Sequence, residues 1–413
     1  MKILVLNAGS SSQKSCLYSI DDRLPNEPPE PMWEAAIDWA HHPGFAEIKV
    51  KTATEELTEE IEVKSRLEIM AHLLSMLWQG KTAVLNHPTD IDVVGHRVVQ
   101  GGQEYSQPVQ IDQTVKATID RLSTLAPNHN PANLEGIEAI EQFLGTEIPQ
   151  IAVFDTAFHR QIPDAAAIYP VPYAWVEQGI RRYGFHGISH QYCAERAAHL
   201  LQRNLEDLRL IVCHLGNGCS LSAIAQGHSI DTTMGFTPLD GLMMGTRSGS
   251  VDPGILIHLM RQEGYSVDRL DRELNRESGL KGISGVSADL RQVMKAIADN
   301  NSQAQLALDI YIHRLRAYIG AMLASLGGVD ALIFTAGVGE NSAIVRSLAC
   351  ESFGFLGLKL DAHKNANRPV DQDIATTDST VRVLVIHTQE DWAIAQECYR
   401  LRAKHVSLHE KQS

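Results

Sequence analysis

Two stretches about 200 residues apart follow one plan, and that repetition constrains the fold more than any other feature of the chain. The first is Leu4-Val5-Leu6-Asn7-Ala8-Gly9-Ser10-Ser11-Ser12-Gln13-Lys14, and the second is Leu210-Ile211-Val212-Cys213-His214-Leu215-Gly216-Asn217-Gly218-Cys219-Ser220-Leu221-Ser222-Ala223-Ile224. In each, an apolar run that reads as a buried strand enters a turn of Gly, Asn and small residues. In the second stretch another apolar run follows. Such a pair predicts a duplicated domain with one anion-facing turn per copy. Small residues let the backbone approach an anion, turn N–H groups can point at it, and hydroxyls and Lys14 add donors and charge. Polar hairpin turns use the same residues. The first stretch also lacks the G-x-x-x-x-G-K-[ST] pattern of a Walker loop. A third glycine turn, Gly337-Val338-Gly339-Glu340-Asn341, again follows an apolar strand, which strengthens the phosphate reading.

The 413 residues are long enough for two domains. A formal net charge of −14 argues against general binding to nucleic acid or an anionic membrane, so any anion site must be local. The cysteines Cys16, Cys193, Cys213, Cys219, Cys350 and Cys398 contain no C-x-x-C pair and read as reduced core residues of a cytoplasmic protein. The first apolar run is too short for a signal peptide, and no stretch reads as a membrane span.

Strands are expected over residues 1–20, within 34–63, and at 91–99 and 148–154. Helices are expected over 64–85, 113–125 and 131–144. The alternation then repeats: a helix through Leu201, strands at 209–224 and 228–233, and a glycine-rich loop over 234–253. Helices cover 255–263, 266–278 and most of 288–326. Strands at 331–335 and 381–387 and a last helix from about Asp391 complete the pattern. Strands first and helices afterwards, twice over, predict two α/β domains with mixed sheets.

Eight motifs in order then give the chain a resemblance to the acetate kinase family, within the superfamily of sugar kinases, Hsp70 chaperones and actin. They are Asn7-Ala8-Gly9-Ser10-Ser11-Ser12-Gln13-Lys14, Gly95-His96-Arg97-Val98-Val99-Gln100-Gly101-Gly102, Phe154-Asp155-Thr156-Ala157-Phe158-His159, Arg182-Tyr183-Gly184-Phe185-His186-Gly187, His214-Leu215-Gly216-Asn217-Gly218, Met234-Gly235-Phe236-Thr237-Pro238-Leu239-Asp240-Gly241, Thr246-Arg247-Ser248-Gly249 and the third glycine turn. The resemblance implies two duplicated ribonuclease-H-like, actin-like ATPase domains with an interdomain active-site cleft. They would span 1–155 plus 388–413, with the last helix returning to the first domain, and 156–387, which would carry nucleotide binding and dimerisation. It implies reversible transfer of a phosphoryl group from ATP to acetate, giving ADP and acetyl phosphate. A divalent metal, Mg²⁺ or alternatively Mn²⁺, and a cytoplasmic homodimer are implied with it.

By the same resemblance, Arg97 and Arg247 contact the substrate carboxylate and the transferring phosphoryl, and planar guanidinium groups suit two anions brought together. His186 stabilises the transition state with Arg247, and His129 is a second active-site histidine. Asp155 is catalytic and, with Glu390 and Asn7, serves the metal. The nucleotide falls to Lys14, His214, Leu215, Gly216, Asn217, Gly218, Gly337, Val338, Gly339, Glu340 and Asn341, with Asp289, Leu290 and Arg291 at the adenosine. Val99, Phe185 and Pro238 form a methyl-sized acyl pocket.

Two departures stand out. Gln389 replaces the family's Asn before Glu390. Asn128 replaces the usual Leu before His129, which leaves acyl-chain length open between acetate and a propionate or butyrate kinase on the same scaffold. A nucleotide-driven binding module of the Hsp70 or actin kind is the alternative from another class.

Overall fold

In the computed structural model, residues 1–9, 12–42, 44–127 and 129–410 are described, so Ser10, Ser11 and Asn128 lie outside the described residues. The chain divides into two units, Met1–Ala157 with Gln389–Ser413, and Phe158–Thr388.

The first unit is built on an eight-stranded sheet. Its strands are β1 (Lys2–Ala8), β2 (Ser12–Ser19), β3 (Trp33–His42), β4 (Phe45–Thr52), β5 (Glu56–Glu62), β6 (Val93–Val98), β7 (Val109–Gln110) and β8 (Gln150–Phe154). Their order is β5-β4-β3-β2-β1-β6-β8-β7. β1 is apolar from Ile3 to Leu6 because it is central and covered on both faces. β5 sits at the edge and carries four glutamates, which discourages further pairing. Helices α1 (Arg66–Ser75) and α3 (Asn130–Leu144) bring Ile69, Leu73 and Ile140 into one core with Leu4, Leu17, Trp33 and Ile48. Helix α2 (Gln113–Arg121) packs on α3. The C-terminal helix, Glu390–Glu410, lies against β1 and β6. It can do so because β6 has Gly95 at the contact: a Cβ there would stand 2.6 Å from Cys398 Sγ and 2.7 Å from Ile394 Cγ2.

The second unit has six strands, β9 (Arg209–Leu215), β10 (Cys219–Ala225), β11 (His228–Thr232), β12 (Ala331–Thr335), β13 (Gln372–Asp373) and β14 (Arg382–Val385), in the order β11-β10-β9-β12-β14-β13. The duplication is visible in the pairing. β3-β2-β1 run antiparallel and β1-β6-β8 parallel. β11-β10-β9 and β9-β12-β14 repeat that pattern. The two stretches that share one plan in the sequence are the hairpins β1–β2 and β9–β10.

Three expectations need correction. Helix α1 ends at Ser75 and is followed by turns, not by helix to residue 85. Its C-cap N–H bonds back to Leu73 and Leu74, and nothing carries the helix on. The helix expected over 266–278 ends at Arg276, and a separate helix, Gly279–Ser284, follows. The third glycine turn is a short helix, Ala336–Asn341. Glu340 makes it so by accepting the Ala336 N–H at 2.9 Å across its own first turn.

Candidate active site

In the first unit, the C-terminal ends of β1, β6 and β8 bring Asn7, Arg97 and Asp155 together, and the start of the C-terminal helix adds Glu390. Asp155 extends β8, its N–H donating to Val98 O at 2.9 Å, and is 1% exposed. Arg97 donates from Nε to Asp155 Oδ2 at 3.1 Å and grips the same oxygen through NH2, with NH1 3.5 Å from Asn7 Oδ1. Asn7 Nδ2 donates to Asp391 Oδ1 at 2.9 Å and reaches Glu390 Oε2 at 3.4 Å. Burial alone would lower the Arg97 pKa. Asp155, Glu390 and Asp391 outweigh it and hold the guanidinium above its ordinary value. Burial, joined by Glu390, raises the Asp391 carboxyl. Asp391 is a residue that sequence reasoning missed, because an acid in a first helical turn is ordinary.

Three carboxylates around one guanidinium leave a surplus of negative charge that suits a divalent cation. Among the described residues no group of three His, Cys, Asp or Glu side chains could hold a metal by itself. That arrangement fits Mg²⁺, which takes one or two carboxylates and completes its shell with water and phosphate oxygens.

Val99 and His129 are tied together through the start of α3. Asn133 Oδ1 accepts the Val99 N–H at 3.1 Å, and Asn130 Oδ1 accepts the Gln100 N–H at 3.0 Å. His129 is the N-cap position of α3. Lys14 stands exposed on β2, opposite Asn7 in the hairpin.

In the second unit, the β9–β10 turn carries Leu215, Gly216, Asn217 and Gly218, closed by Gly216 N–H to Gly218 O at 3.0 Å. The glycine-rich loop presses onto it. Gly245 N–H donates to Asn217 O at 3.0 Å, and a Cβ on Gly245 would stand 2.2 Å from Asn217 Oδ1. Arg247 and His186 flank the turn: a Cβ on Gly218 would lie 3.5 Å from Arg247 NH1 and from His186 Nε2. Arg247 is half-buried, has no carboxylate partner among the described residues, and burial lowers its pKa. His186 begins helix Gly187–Leu201 in the left-handed region, with φ 57°. A non-glycine residue held there is strained, a feature concentrated at functional sites. Its backbone is fixed by His159, whose Nε2 donates to Phe185 O at 3.0 Å. Its ring stacks on His214, centroids 4.1 Å apart and 20° between planes.

The other residues expected at the site also belong to the second unit, and the short helix Ala336–Asn341 abuts the glycine turn, where a Cβ on Gly216 would stand 3.8 Å from Ala336 Cβ. Phe185 is buried and Pro238 half-buried. Glu340 directs its carboxylate to the N–H groups of Ala336 and Thr388 and to His387 Nδ1, 2.6 Å away. Asn341 Nδ2 donates to Gly337 O at 2.9 Å, bracing Val338 and Gly339 inside the short helix. Asp289 caps helix Leu290–Ala298 and pairs with Arg291, whose side chain is 90% exposed. Those two form an N-cap with a surface pair.

Carboxylates gathered around one arginine, and a glycine turn flanked by a second arginine and a histidine, meet the needs of phosphoryl transfer between anions. The class they define is the phosphotransferases. Comparison fixes the family: a profile of the acetokinase family matches residues 2–396, and the chain belongs to that family. It is 66% identical over 403 residues to the acetate kinase of Nostoc sp., covering 97% of this chain and 99% of that one. Among solved structures, the acetate kinase of Porphyromonas gingivalis matches with a TM-score of 0.87 at 39% identity, over 96% of this chain and 98% of that one. A propionate kinase from Francisella tularensis matches with a TM-score of 0.86 at 38% identity and the same coverage. The fold is therefore that of the acetate kinases.

Proposed function

We propose that this chain is a phosphotransferase that moves a phosphoryl group reversibly between ATP and acetate, with acetyl phosphate and ADP as the other pair. The geometric observation that carries the reading is Arg247. It is a half-buried guanidinium without a carboxylate partner among the described residues, set beside the glycine turn and His186 in a chain of net charge −14. Such a group needs an anion. The near full-length relationship to an acetate kinase supports acetate as acceptor.

In the mechanism we favour, a carboxylate oxygen of acetate attacks the γ-phosphorus in line. The new O–P bond forms as the bond to the β-phosphate oxygen breaks, and ADP leaves with that electron pair. Arg97 orients the carboxylate and Arg247 the transferring group, so that neither anion repels the other fully. His186 donates to the phosphoryl oxygens. His214, Asn217, Gly218, Gly337 and Asn341 serve the nucleotide phosphates. Mg²⁺, when bound by Asp155 and Glu390 with Asn7 orienting its waters, supplies charge neutralisation at the phosphate oxygens. Inversion at a chiral γ-phosphorus is the expected stereochemistry, and retention would indicate a phosphoenzyme.

A cytoplasmic homodimer completes the proposal. In support, all six cysteines are free and buried, and among the described residues no helix is long and apolar enough to cross a membrane. Helix Pro253–Gln262 in the second unit is rich in apolar residues yet buries none of them.

A second reading, transfer to propionate, is favoured by one observation: the acetate and propionate kinase structures match almost equally well. The deciding experiment is acyl-phosphate formation from ATP, Mg²⁺ and acetate, propionate or butyrate, trapped with hydroxylamine. Turnover fastest with acetate is expected. A faster longer acid would move the substrate. No product with any acid would overturn the kinase in favour of a nucleotide-driven binding module.

A further inference from the structure

The imidazole of His186 is one end of a chain of buried polar groups that the roles above leave unused. Its Nδ1 lies 2.9 Å from Ser220 Oγ, and the same oxygen lies 2.7 Å from His190 Nε2. His190 sits one helical turn beyond His186, with its N–H donating to His186 O at 2.9 Å, so both rings lie on one helix face. Ser220 meets them from β10. Ser220 and His190 are both wholly buried.

A hydroxyl has one proton to give and can accept two, and Ser220 Oγ has no hydrogen-bond partner among the described residues besides these two rings, so its proton goes to one ring nitrogen while the other donates to it. Two arrangements satisfy this, and His190 Nδ1 decides between them. That atom is buried with no hydrogen-bond partner among the described residues. The ring is neutral, because burial, helped by His159 and His214, pushes its pKa well below the ordinary value. It therefore carries one N–H. If the proton were on Nδ1, a buried donor would be orphaned. If it is on Nε2, only a lone pair goes unused. Orphaned buried donors are the rarer and costlier defect. The chain therefore runs from His190 Nε2–H to Ser220 Oγ, and from the Ser220 hydroxyl proton to His186 Nδ1. The His186 proton is left on Nε2, and Nε2 is the nitrogen beside Gly218 and Arg247.

We propose that Ser220, set by His190, is a positioning residue that locks His186 as its Nε2–H tautomer, so that a proton faces the phosphoryl site next to Arg247. The opposite tautomer would aim a lone pair at an anion. The proposal rests on the reading that His186 contacts the transferring phosphoryl.

The test is ¹⁵N NMR of the full-length protein labelled at histidine, with the His186 signals assigned by their loss in His186→Asn. One- and two-bond ring couplings separate the two tautomers without reference to activity. The wild-type protein is expected to show His186 as Nε2–H alone. Ser220→Ala is expected to show a mixture, with kcat down by about tenfold, less than the 10²–10³ of a deleted transition-state donor, and KM for ATP within about twofold. Ser220→Thr, which keeps the hydroxyl, is expected to restore the single tautomer. A wild-type Nδ1–H signal would overturn the proposal outright, with no variant needed. So would an unchanged single tautomer in folded Ser220→Ala. A tautomer mixture with unchanged kcat would overturn the phosphoryl role of His186 and leave the relay standing.

Discussion

Arg97 and Arg247 are one side chain in opposite settings, and the contrast yields separable outcomes. Arg97 is bonded to buried Asp155, so Arg97→Ala strands a carboxylate and is expected to cost about 3 kcal/mol in chemical denaturation, together with turnover. Arg247 has no such partner among the described residues. Arg247→Ala is expected to leave unfolding stability within about 1 kcal/mol and to lower kcat by about 10³, with Arg247→Lys recovering part of it. Equal stability losses in the two variants would contradict this assignment. Glu340 gives the pH signature. Burial alone would raise its carboxyl, but His387 and the N–H groups of Thr388 and Ala336 outweigh burial and hold it below the ordinary 4.5. A depressed carboxyl contributes stability that is full above the unfolded value and is lost as pH falls through the folded one. Glu340→Gln is therefore expected to lose about 1–2 kcal/mol at pH 7 and to converge with the wild-type protein in denaturation curves only once the pH has fallen below the depressed value of the folded carboxyl. Residue types at motif positions were legible in the sequence, as Asn7, Arg97, Asp155 and His186 show. Ser220, His190 and Asp391 were not, because their significance lies in which atom meets which, and spacing along a chain does not encode that.

At the scale of elements, the sequence marked strands well where burial is two-sided and continuous, as in β1, β9 and β12. It failed where a long-range or capping contact decides. The stretch Ala336–Asn341 has two glycines and turn-like composition, yet it winds as a helix because the Glu340 carboxylate satisfies the first N–H. The return of the C-terminal helix to the first sheet was implied by family resemblance alone, and its physical basis is Gly95. Gly95→Ala drives a methyl into Cys398 and Ile394, and overpacking of this kind costs about 1–3 kcal/mol. The same push displaces the helix that begins at Glu390, so a fall in activity and a rise in the Mg²⁺ concentration for half-maximal rate are expected together. Adding Cys398→Ala and Ile394→Ala, which remove the two clashing atoms, is expected to restore much of both. Restored stability without restored metal dependence would separate the packing of this helix from the placement of Glu390.

At the scale of the molecule, helix Pro253–Gln262 is the element that a lone copy leaves unexplained. A helix in a folded domain gains its stability by burying an apolar face. This one leaves Ile255 50%, Ile257 49% and Met260 44% exposed, with Val251 37% and Val267 66% exposed just beyond its ends. Exposed apolar side chains in this number on a chain of net charge −14 are expected to meet another surface, and a second copy is the occupant that the proposed homodimer supplies. Self-association must also overcome the repulsion between two anionic copies, so it should strengthen with salt, whereas an interface held by ion pairs would weaken. Light scattering after size exclusion is expected to give twice the 45.5 kDa of one chain, with dissociation on dilution setting in at higher protein concentration in low salt. Ile255→Glu with Ile257→Glu is expected to give a folded monomer, because neither side chain contributes to the core of its own unit. A persistent dimer in that variant would move the interface elsewhere on the chain. A monomeric wild-type protein would leave the helix an apolar face in need of a different partner.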